Sequence, residues 1–89
     1  MKKVLLVADG VVGNAVRRAI ERTEEVQIIG DHATADIAVV HTRAQVMKVL
    51  GETKLEIWQL AYSDAVDHRR VRVFDLVYDI QRFLAELAQ

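Results

Sequence analysis

Eighty-nine residues leave room for one hydrophobic core and no second module. Twelve Lys and Arg against thirteen Asp and Glu give a net charge of −1, without the basic excess that binding a phosphate backbone needs, and the lack of cysteine excludes a disulfide framework, a thiolate metal site and a cysteine nucleophile. The longest apolar runs, such as Val4 to Ala8 and Ile37 to Val40, fall far short of the roughly 20 residues that cross a bilayer.

Lys3 to Ala8 is a short apolar run closed by Asp9 and Gly10, the pattern of a strand buried on both faces. Met1, Lys2 and Lys3 make a charged start, but the apolar stretch ends too early for a secretory signal, so the cytoplasm is the expected location. Val12, Val16, Ala19, Ile20 and Thr23 then recur at helical spacing, with Arg17, Arg18, Glu21 and Arg22 on the opposite side. Glu25 to Gly30 and Ala35 to His41 read as the second and third strands. About seven residues join Ile29 to Ile37, too few for a crossover through a helix. Either the third strand turns back as a hairpin, or Asp31 to Ala35 makes a stretched crossover at about 3.3 Å per residue.

Ala44, Val46, Met47 and Leu50 predict a second helix ending at Gly51 as a left-handed terminator. Leu55 to Leu60 has strand composition, although Leu55, Trp58 and Tyr62 also fit one helical stripe, so residues 54–66 stay open between strand and helix. Arg70 to Phe74 alternates charged and apolar residues, as an edge strand guarded by charge does. A last helix carries Leu76, Ile80, Phe83, Leu84 and Leu87 on one face, with Asp75 as its N-cap. With no proline, repeat or low-complexity tract, residues 1–89 read as a single α/β domain. The expected architecture is a three-layer Rossmann-like or flavodoxin-like sheet of four to five mostly parallel strands and about three helices, with one antiparallel strand as the open alternative.

The segment Val7 to Asn14, between a buried strand and a helix, can turn backbone N–H groups toward an anion with the helix dipole assisting. Asp9, Gly10, Gly13 and Asn14 are therefore candidate ligand-binding residues, completed by Asp31 after the second strand or His41 at the end of the third. The spacing of Ala8, Gly10 and Gly13 resembles the dinucleotide-binding fingerprint G-x-G-x-x-G with its first glycine replaced, over roughly the first half of the chain. That resemblance implies a nucleotide or dinucleotide ligand, with Asp31 near the place of the ribose-binding acid. The competing reading, which we favour at this level, is that Gly10 and Gly13 only permit a tight turn and close helix–strand packing.

The same start resembles a response-regulator receiver domain. In that family an acid cluster holds Mg²⁺ and an aspartate ending the third strand accepts phosphate. Here Asp9 supplies one acid, His41 stands at the acceptor position and no later strand offers the lysine. The resemblance implies a degenerate receiver that works through protein contact. A third resemblance, to the small cytoplasmic B components of sugar phosphotransferase systems, meets Ala8 or Asp9 where their phosphorylated cysteine stands, which excludes that activity.

His32, His41 and His68 lie scattered among Asp31, Asp36 and Asp67 without a helical pair or short ligand repeat, so no metal site is expected. Ser63, Asp64, Asp67 and His68 share a loop but compose no nucleophile–base–orienter set, and catalysis is not expected. Arg17, Arg18, Arg22, Arg69, Arg70 and Arg72 are interspersed with acids, the pattern of a solvated mixed-charge face. The apolar fraction of 52% is high for so small a chain and predicts a surface covered by another chain, most simply in a two-fold homodimer, with Trp58 and Tyr62 as candidate contacts. The expected function is a non-catalytic regulatory or scaffolding domain acting through protein–protein contact. A sensor of a nucleotide or phosphorylated metabolite on the first strand–helix loop is the alternative, and a nucleic-acid-binding regulator the weaker one. No cofactor beyond such a nucleotide or dinucleotide is expected.

Overall fold

The computed structural model describes residues 1–89. In chain order the elements are β1 (Lys2–Leu6), α1 (Gly10–Glu21), β2 (Val26–Ile29), β3 (Ile37–Val40), α2 (Arg43–Glu52), β4 (Glu56–Ala61), β5 (Val71–Asp75) and α3 (Ile80–Leu87). The strands form one sheet in the order β2-β1-β3-β4-β5, and all four pairings are parallel. This is a three-layer Rossmann/flavodoxin-like α/β fold, and the strand order reverses between β1 and β3.

The antiparallel alternative for the third strand is therefore excluded. Gly30 to Asp36 makes the stretched crossover instead, passing β1 to reach its far side without a helix. Asp36 anchors it: its N–H donates to the Lys3 carbonyl at 2.8 Å, and its Oδ2 accepts from the Lys3 N–H at 2.7 Å. A second helix-free connection, Tyr62 to Arg70, joins β4 to β5. Consequently α1 and α3 share one face of the sheet, whereas α2 stands alone with the two extended connections on the other.

The alternation of side chains along each strand feeds both faces. Val4, Ile37, Val39, Trp58, Leu60 and Phe74 pack beneath Val16 and Ile20 of α1 and Phe83 and Leu87 of α3. Ala38, Val40 and Ile57 pack beneath Val46 and Val49 of α2, together with Val66 of the β4–β5 connection. At the centre of the first core Trp58, Phe74 and Phe83 meet with centroids 5.3, 6.0 and 5.4 Å apart, the last two contacts edge-on. The β3 and β4 positions are buried apart from Glu56 at the entry to β4, as expected of strands covered on both sides.

Residues 56–61 are strand, which resolves the ambiguity in the sequence. The helical stripe of Leu55, Trp58 and Tyr62 loses because a central parallel strand pairs with neighbours on both edges. Arg70 to Phe74 behaves as expected: β5 pairs only with β4 and forms an edge. Two boundaries differ. Gly51 does not terminate α2, which continues through it to Glu52 and is capped by Thr53, whose N–H and Oγ1 both donate to the Val49 carbonyl. Asp75 ends β5 and does not cap the last helix. Its Oδ1 accepts from the Val77 and Tyr78 N–H groups and fixes a turn, so α3 starts four residues later than Leu76, with Asp79 as N-cap.

Candidate functional site

The carboxyl ends of β1 and β3, flanking the reversal in strand order, are where an open parallel sheet offers a ligand crevice. Asp9, Gly10 and Gly13 follow β1, and His41 follows β3. Gly10 has a φ of 65°, a left-handed conformation that a Cβ would strain. At Gly13 a Cβ would lie 2.4 Å from the Ala8 carbonyl oxygen, so α1 can seat against the end of β1 only without a side chain there. Both glycines thus meet the packing requirement. Gly13→Ala is expected to destabilise by about 1–3 kcal/mol, because backbone must move to admit the methyl group; a urea midpoint at the wild-type value would refute the close-approach role.

The crevice is bridged by one side chain that the sequence reading passed over. Gln45 Oε1 accepts from the His41 N–H at 2.8 Å and the Thr42 N–H at 3.1 Å, while its Nε2 donates to Asp9 Oδ1 at 3.1 Å. The Thr42 hydroxyl in turn accepts from the Gln45 N–H at 3.2 Å, completing a capping box legible in the sequence as T-x-x-Q. The next N–H, on Arg43, donates to Asp64 Oδ2 at 3.0 Å. Three successive backbone donors after β3, on His41, Thr42 and Arg43, are therefore engaged inside the protein.

His41 is held from both ends. Its carbonyl accepts from Gln59 Nε2 at 3.2 Å, and its Nδ1 lies 2.7 Å from the Leu60 carbonyl. A carbonyl only accepts, so Nδ1 is the donor in this contact. Asp31 sits apart, with Oδ1 accepting from the Ala33 N–H at 3.0 Å in its own turn, and Asn14 is exposed on α1. The six candidate residues are thus brought only partly together: Asp9 and His41 are linked through Gln45, and Asp31 and Asn14 stand outside that network. None of the six lines any of the three cavities in the molecule.

The two contact candidates separate sharply. Trp58 is only 4% exposed and belongs to the aromatic core, so it has no surface to offer a second chain. Its aromatic character signalled a large buried area, which burial in its own core satisfies equally well. Tyr62 is 68% exposed, one residue beyond the Ala61–Asp75 pair at the carboxyl end of β4.

The cavities lie elsewhere. A groove of about 280 Å³ between α1 and α3 is lined only by apolar residues, among them Val11, Ala15, Ala19, Leu76 and Ile80. On the opposite face, cavities of about 210 and 450 Å³ share His32, Glu52 and Thr53 and run along α2 to its carboxyl end. The arginines do not gather into one surface. Arg70 Nη2 donates to the Thr53 carbonyl on the α2 side, whereas Arg72 pairs with Glu86 and lies over the Trp58 and Phe74 rings on the α3 side. No three His, Asp or Glu side chains gather into a metal-ligand set, and no helix is long and apolar enough to cross a membrane. Set against family models, curated proteins and solved structures, the chain matches none.

Proposed function

We propose that this chain is a non-catalytic regulatory or scaffolding module that pairs with a second copy of itself through the groove between α1 and α3. The observation that carries the reading is the groove's composition together with its rim. Val11 on its wall is 87% exposed, and Val77 and Tyr78, in the turn that supplies Leu76, are 61% and 87% exposed. Large apolar side chains gathered in water around an apolar furrow are characteristic of a contact surface.

An apolar fraction of 52% in so small a chain supports a second copy as the occupant. The acids of α3 are already paired within the chain, Asp79 with Arg82 and Glu86 with Arg72, which leaves the groove an apolar seam. A two-fold axis along the groove closes the apolar wall of each copy on that of the other. The exposed Tyr62 lies at the same carboxyl edge of the sheet.

Light scattering at micromolar concentration tests this. The wild-type chain is expected at dimer mass, and Val11→Asp combined with Tyr78→Asp at monomer mass, since each charge must be desolvated in a closed seam. Both positions are exposed, so the fold should survive, which circular dichroism checks. A monomeric wild-type chain, or a double variant that still dimerises, would overturn the proposal.

A further inference from the structure

We infer that the trough along α2 is a binding site for a small phosphorylated molecule with a flat apolar body, of the size of a nucleoside monophosphate. It is a different surface from the α1–α3 groove and does not depend on pairing there.

The trough exists because the β2–β3 connection has no helix. A helix there would cover the α2-side face of β1; the extended Gly30 to Asp36 segment leaves Leu5 and Val7 half-exposed beside α2. Those two residues and Val49 are the apolar members of the 210 Å³ cavity, whose other walls include His32 and Lys48. An apolar floor beneath a few polar groups is the usual form of a small-molecule site. The adjoining 450 Å³ cavity is mainly polar, with one apolar wall residue, Leu50, and with Lys54 and Arg70 on its rim. The two compartments thus offer an apolar seat followed by a cationic one.

The charge balance favours an anion. Lys48, Lys54 and Arg70 face one acid, Glu52, with His32 at the junction of the two cavities. The carboxyl end of α2 lies on the same trough, and its dipole opposes an anion. That opposition is reduced locally, because the Thr53 carbonyl accepts from Arg70 Nη2 at 2.9 Å and the Val49 carbonyl from Thr53.

Adenosine 5′-monophosphate at millimolar concentration, followed through the backbone amide resonances of ¹⁵N-labelled protein, tests the site. Saturable shifts are expected at Gly30, Val49 and Gly51, with adenosine and inorganic phosphate each binding more weakly than the nucleotide. Lys48→Glu with Lys54→Glu, both exposed and unbonded to the core, should weaken binding by roughly tenfold or more, a change of about 1.4 kcal/mol per factor of ten. Shifts centred on Asp9 to Asn14, no shifts at all, or an affinity indifferent to the two lysines would overturn the assignment. Inorganic phosphate or adenosine binding as tightly as the nucleotide would overturn the two-compartment reading.

Discussion

Phe83→Ala is expected to destabilise the protein by about 3–5 kcal/mol, the range found when a buried aromatic ring is deleted from a close-packed core. Phe83 is fully buried and is the main residue by which α3 grips the sheet, touching Trp58 and Phe74 edge-on. Beneath the ring no small side chain can move in, because Trp58 and Phe74 are held in paired strands. Domains of this size have roughly 5–15 kcal/mol in total, so the loss should leave a fraction of molecules unfolded that urea titration detects directly. Melting should fall by about 4–8 °C for each kcal/mol lost. A drop of less than about 1 kcal/mol would mean that α3 is not anchored through this ring.

Gln59→Leu should destabilise by about 3 kcal/mol although it keeps nearly the same volume. Gln59 is the one fully buried polar side chain of β4, and its amide is completely engaged. Nε2 donates to the His41 carbonyl at 3.2 Å and to the Asp64 carbonyl at 3.1 Å, and Oε1 accepts from the Val66 N–H at 3.0 Å. Leucine would leave that buried N–H and two carbonyls without partners, each costing about 1–3 kcal/mol when water cannot replace the bond. The same change should release the β4–β5 connection, because Val66 docks in the second core through this bond. Amide hydrogen exchange at Val66 should then quicken far more than at Val4, on the sheet's other face. Equal protection at both sites would show that Gln59 does not hold the loop.

These two positions also show what could and could not be seen in the one-dimensional chain. Phe83 falls on the apolar stripe of a helix and was readable as core from its spacing with Ile80, Leu84 and Leu87. Gln59 interrupts the apolar run of β4, and nothing local says that its partners lie just beyond β3 and on a loop. The candidate site divides similarly. The need for glycine at positions 10 and 13 was legible, and each has a backbone reason. The capping box of Thr42 and Gln45 was also present in the residue pattern, but its reach across to Asp9 depends on β1 and β3 being neighbours.

By itself the sequence determined the fold class, four of the five strands and the three helices to within a few residues, and the edge position of β5, while residues 54–66 stayed open between strand and helix. These follow from short-range physics: alternation along a strand, the 3.6-residue repeat of a helix, and charge guarding an unpaired edge. Tertiary structure decided the direction of β3, the burial of Trp58 against the exposure of Tyr62, and the starting point of α3. It also decided where the cavities lie, because each needs surfaces from elements far apart in the chain. Seven residues from Gly30 to Asp36 are long enough for either a hairpin or a crossover, and the choice falls to the parallel pairing of β3 with β1 and the anchoring of Asp36 on Lys3. That choice leaves one side of β1 without a helix and so creates the trough beside α2.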